Sequence, residues 1–198
     1  MKTLAGICLL ATLPLCQINP SFAEECGAII RTIMTDFSTG RPAVKHQSTT
    51  IFGGQETKNT SFSTGFNELL GLGADGKPQT LFHDGAFYMT EDGGASWGLA
   101  RKYTDEERQK LRQDATTQVD NATGFRCEMN RNLDGKAVHY LAADYTLTST
   151  GGAVTSEFWV GVADMFVWKT RNVFDMNGSE MIVEQVSEPA PNFVLPTP

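Results

Sequence analysis

No apolar stretch in the 198 residues approaches the roughly 18 needed to cross a bilayer as a helix, which excludes an α-helical membrane span. Basic residues are scarce: 16 Lys+Arg stand against 23 Asp+Glu, and once Lys2 leaves with a removable leader the formal net charge is −8. Phosphate binding needs a basic face, so the charge balance argues against a nucleic-acid partner. Histidine is scarcer still, with His46, His83 and His139 the only ones and no two spaced as ligands on one helix or hairpin. No metal site is expected. His139 alternates with Leu141, Ala143, Tyr145 and Leu147, the pattern of a core histidine on the apolar face of a strand. There is no G-x-S-x-G elbow, so acyl-transfer chemistry lacks its nucleophile motif, and no catalytic residue or cofactor is expected. Carboxylates are present in number, but 23 of them offer candidate pairs by abundance alone, and a carboxylate hydrolase has the least support.

What is present begins with a leader. Lys2 precedes an apolar run from Leu4 to Cys16, and Ser21-Phe22-Ala23 places small residues at −3 and −1. Residues 1–23 therefore read as a signal peptide cleaved near Ala23, and the protein as periplasmic or secreted. Of the four cysteines, Cys8 and Cys16 leave with it. Cys26 and Cys127 remain, and in an oxidising compartment they suggest one disulfide, with two buried free thiols as the alternative. Cys26, Ile29, Ile30, Ile33, Met34 and Phe37 recur at helical spacing, so the mature chain opens with a helix whose apolar side carries Cys26 inward.

From 42 to 102, short β-prone runs end in turn residues: Ile51-Phe52 before Gly53-Gly54, Ser61-Phe62 before Gly65, Leu81-Phe82 before Asp84-Gly85. They predict an antiparallel meander. Thr104-Asp105-Glu106-Glu107 is a capping box, and Leu111, Ala115 and Val119 follow at spacing four, predicting a helix from about 105 to 120 with a narrow apolar stripe. From Phe125 to Val186 hairpin signals at Asp134-Gly135, Gly151-Gly152 and Asn177-Gly178 predict four further strands. Residues 24–187 thus form a single domain, and 188–198, with four prolines, an extended tail.

One local motif is sharp. Thr90-Glu91-Asp92-Gly93-Gly94-Ala95-Ser96-Trp97 resembles the Asp-box of β proteins, in which an Asp accepts backbone N–H groups across a turn and the Trp folds back on the sheet. A single copy cannot build a propeller, and it marks a structural hairpin.

The order of a helix with inward Cys26, a meander through Gly85-Ala86-Phe87-Tyr88-Met89 and Trp97, a capped helix, then Ser156-Glu157-Phe158-Trp159-Val160 and a terminal strand pair resembles small periplasmic proteins of the LolA/LolB-like lipoprotein-localisation fold. One departure is the turn Val162-Ala163-Asp164-Met165, where relatives often carry a Gly-Leu-Pro-like turn. The resemblance implies an α+β fold: a curved antiparallel β-sheet, an incomplete barrel, with the N-terminal helix and the short helix packed on or across its concave face. It further implies that the short helix is a lid, and that the concave side holds an acyl chain or serves as an interaction surface. The expected function is an exported, non-catalytic binding protein for an apolar or lipid-like ligand, the alternative a cell-envelope protein-interaction module with a packed core. Phe87 and Met89 share one strand face, Phe166 and Trp168 share another, and Leu111 lies on the helix. These five are the expected ligand-binding residues, with plain core as their competing reading.

Overall fold

The computed structural model describes residues 20–176 and 178–198, so the expected leader as far as residue 19, and Asn177, lie outside the described residues. The chain opens with helix α1 (Pro20–Met34). Its buried side carries Cys26 and Ile30, with Ile29, Ile33 and Met34 half-buried beside them. The helix stops short of Phe37, because Asp36 Oδ1 takes the Ser38 N–H at 3.2 Å and the Ser38 O–H at 2.6 Å, a local turn that competes with further helical bonds. Phe37 instead packs edge-on against Phe66, centroids 4.9 Å apart.

The first meander is β1 (Val44–Phe52), β2 (Gln55–Gly65), β3 (Glu68–Leu72), β4 (Pro78–His83), β5 (Ala86–Met89) and β6 (Gly98–Lys102). Helix α2 (Asp105–Asp120) follows, and β7 (Thr123–Leu133), β8 (Lys136–Thr146), β9 (Ala153–Gly161), β10 (Val167–Met176) and β11 (Ser179–Pro189) form a second meander. The last strand returns beside the first, giving one antiparallel sheet in the order β6-β5-β4-β3-β2-β1-β11-β10-β9-β8-β7. It is the expected α+β fold, a curved sheet that does not close. Five strands follow α2 rather than the four that the hairpin signals predict, since the β9–β10 turn at Val162–Met165 carries no Asn-Gly, Asp-Gly or Gly-Gly pair and is closed from Gly161 at the end of β9. Asp164 Oδ1 accepts the Phe166 N–H at 3.0 Å there, and Met165 adopts φ 55°.

Helix α2 begins where the capping box places it: Thr104 accepts the Glu107 N–H and Glu107 accepts the Thr104 N–H. Its stripe is narrower than expected. Val119 is buried, but Leu111 is 45% exposed. The tail also differs from its expectation, because β11 continues to Pro189 opposite Val44. Ala190 donates to Ala43 at 2.8 Å, so the Pro189 nitrogen points away from β1, on the side where pairing with β10 already ended at Val186. Phe193 then stacks on Phe62 at 4.2 Å.

The core lies between α1 and the β8–β9 part of the sheet, where Ile30 meets Leu141, Ala143, Phe158 and Val160. Cys26 and Cys127 are bonded, their Cα atoms 6.1 Å apart, which ties α1 to the edge strand β7.

The Asp-box forms the β5–β6 turn. Asp92 accepts the Ser96 N–H at 2.9 Å, the Ser96 O–H at 2.6 Å and the Thr90 O–H at 2.7 Å, and these bonds hold its carboxyl well below the usual carboxylate range. Gly94 sits at φ +96°, where a Cβ would lie 3.1 Å from Pro78 Cβ and 3.5 Å from the Trp97 ring. Gly94→Ala is expected to cost about 1 to 3 kcal/mol, and Asp92→Ala to lower the melting temperature by unpinning the same turn. Thermal unfolding checks both, and wild-type melting of the two variants would show that the turn is not held this way.

Candidate functional site

Beside the packed core, α1 spans a void. Where it faces β8 and β9 the sheet offers Leu141, Phe158 and Val160, which fill the space. Nearer β1, β2 and β11 the facing residues are Ala43, Ser63, Gly65 and Ser187, too short to reach the helix. The result is a half-open cavity of about 790 Å³, within the range of small-molecule sites. Ile29, Ile33, Val44, Phe66, Phe166 and Val167 make its walls chiefly apolar. Gly65 is needed beside it because a Cβ there would fall 2.5 Å from the Ser38 carbonyl oxygen. At the mouth Arg41 pairs with Asp36 at 2.6 Å, both partly exposed.

The floor is polar and neutral. His46 Nε2 lies 2.7 Å from Ser63 Oγ, and Nδ1 lies 2.9 Å from Ser187 Oγ and 3.0 Å from Gln185 Nε2. Ser48 donates to Gln185 Oε1 at 3.3 Å, which turns the amide nitrogen toward the ring. An N–H donor there needs a lone pair on Nδ1, so the neutral ring carries its proton on Nε2 and donates it to Ser63. Burial pushes the imidazole pKa down and favours that neutral form. General-base activation of Ser63 would need the opposite tautomer, with the lone pair on Nε2. The pair does not therefore form a nucleophile and base as it stands.

The expected site residues are dispersed. Phe166 lines the cavity. Trp168 occupies a bulge at the start of β10, 4.6 Å from the Phe166 ring centroid, with Lys136 Nζ 4.7 Å from its own ring centroid. Phe87 and Met89 lie on the sheet face that holds Ser63 and His46, as the β1–β2–β3–β4–β5 register shows, but on a strand three removed from β2, and Met89 is half exposed. Leu111 is on the exposed side of α2. The cavity is roofed by α1, and α2, the expected lid, does not line it. His139 faces the core side and receives the Asn130 N–H at 3.4 Å, while His83 pairs at 2.7 Å with Glu68 rather than with its neighbour Asp84. No group of three His, Cys, Asp or Glu placed to hold a metal occurs among the described residues.

The His46 cluster escaped the sequence reading. Ser63 is 17 residues from His46 and Ser187 is 141, and only the pairing of the first strand with the last joins them. The one available signal was the alternation of Val44, His46 and Ser48 in a β-prone run.

No protein-family model matches the sequence, and no curated protein matches it. Among solved structures the chain is similar to the lipoprotein LppX of Mycobacterium tuberculosis, with a TM-score of 0.53 at 9% identity over 86% of this chain and 97% of that one. A putative outer membrane lipoprotein-sorting protein domain from Vibrio parahaemolyticus aligns with a TM-score of 0.33 at 10% identity, over 87% of this chain and 95% of that one. At such identities the likeness to LppX is one of fold. With the unclosed curved sheet and its helices, it bears out the resemblance to the LolA/LolB-like fold drawn from element order.

Proposed function

We propose that this chain is an exported, non-catalytic binding protein that holds an apolar, lipid-like ligand between α1 and the central strands of the sheet. The observation that carries the reading is the cavity of about 790 Å³ with apolar walls, left open by short side chains where a packed interaction module would be filled. Export is supported by the leader and by the Cys26–Cys127 bond, since disulfides persist in oxidising compartments.

Native mass spectrometry of the protein purified from its own cell envelope is the test, with a co-purifying lipid-sized adduct as the expected result. Ile33, half-buried on the cavity side of α1, supplies the control. Ile33→Trp is expected to fill part of the void, remove the adduct and cut binding of added monolaurin about tenfold or more, while the melting temperature stays within a few degrees of wild type. A protein that carries no adduct and binds monolaurin equally with and without the substitution would return the reading to the packed interaction module.

A further inference from the structure

We propose that the His46 cluster is the subsite for the polar end of the ligand and selects a neutral hydrogen-bond acceptor, an ester or amide carbonyl, over a carboxylate. This deepens the binding-protein reading and rests on it. Three features of the floor carry the assignment: its donor count, its lack of charge and its position in the cavity.

Two donors compete for one lone pair at Nδ1. Gln185 Nε2 and the Ser187 hydroxyl both stand within 3.0 Å of Nδ1, which has a single lone pair. Only one of them can use it. Ser63 Oγ already accepts the imidazole proton at 2.7 Å, so its own hydroxyl hydrogen must turn elsewhere, and it has no other side-chain partner among the described residues. Ser63 and Ser187 both line the cavity. The floor thus leaves the Ser63 O–H, and whichever donor loses the Nδ1 lone pair, free to bind an acceptor that an occupant brings.

Among the described residues no charge stands there to meet an anion. The groups packed around His46 from β2 and β11 are the neutral Ser63, Gln185 and Ser187, and α1 contributes Ile29, Thr32 and Ile33 to the roof. The charged residues that line the cavity are Asp36 and Arg41, which neutralise one another at its mouth. The imidazole, kept neutral, adds no cation. A carboxylate on the floor would be a desolvated, unpaired charge, whereas a carbonyl loses only its water hydrogen bonds and regains them from the serines. Lengthwise, the apolar walls take the chain and the polar floor takes the carbonyl, so the ligand enters with its neutral polar end inward.

Isothermal titration calorimetry with monolaurin and laurate, which share one acyl chain and differ in the head, tests this on the oxidised protein at pH 7.5. Monolaurin is expected to bind about tenfold or more tightly than laurate. Ser63→Ala is expected to weaken monolaurin about three- to tenfold and leave laurate unchanged, while Ser63→Thr, which keeps a hydroxyl, holds the wild-type preference. Equal affinity for the two probes, tighter binding of laurate, or a Ser63→Ala variant that melts like wild type and retains the monolaurin preference would overturn the subsite and leave the cavity reading standing. If neither probe binds the wild-type protein, the cavity reading and the subsite fall together.

Discussion

Breaking the Cys26–Cys127 bond is expected to produce the largest single loss of stability in this protein. The two residues are 101 apart in sequence, and closing a loop of that length is worth about 4.7 kcal/mol in the chain-entropy model. For a domain of this size the loss translates into a melting temperature lower by roughly 10 to 20 °C. The bond also has a local role. Cys26 lies on the buried side of α1 and Cys127 on the edge strand β7, so reduction releases the N-terminal part of the helix that roofs the cavity. Thermal unfolding with and without a reductant, repeated on Cys26→Ser with Cys127→Ser, measures the effect. Hydrogen exchange should then show α1 opening before the β8–β9 core. Identical melting in both conditions, with two thiols titrating in the unreduced protein, would mean that the bridge does not form.

The second large effect separates two isoleucines on one helix. Ile30 is fully buried against Leu141, Ala143, Phe158 and Val160, and Ile30→Ala is expected to cost about 2 to 5 kcal/mol, because it removes packed methyl groups and leaves a void the neighbours cannot fill. Ile33 is half-buried, and one side of it already faces the cavity. Ile33→Ala should therefore cost less than half as much, and its consequence should appear in ligand affinity. Urea unfolding of the two variants at equal slope reads the difference. Equal destabilisation by both substitutions would show that α1 is packed evenly along its length and that the void beside Ile33 closes.

Local structure was legible in the sequence wherever the determinant is local. The capping box at Thr104–Glu107 starts α2 where its hydrogen bonds say it must, and Asp92 pins the β5–β6 turn through partners within four residues. The inward helical position of Cys26 likewise pointed to its bond with Cys127. Burial and turn closure depend instead on what lies opposite a residue. Leu111 sits at the right helical spacing yet stays 45% exposed, and the β9–β10 turn is made by Asp164, a positive φ at Met165 and the lone Gly161 at the strand end, with no paired hairpin signal to announce it.

By itself, then, the sequence determined both helices and most of the strands and pointed to the covalent tie, since helix periodicity, capping, turn chemistry and cysteine count act over a few residues or by elimination, while the class of fold came with the resemblance in element order. Only the tertiary structure decided where the site is. The pairing of β1 with β11 brings His46, Gln185 and Ser187 together across about 140 residues, and the short side chains of Ala43, Ser63 and Ser187 become a cavity only because α1 is held above them by Ile30 and the disulfide. A void is a property of the space between elements, and no run of residues along one of them encodes it.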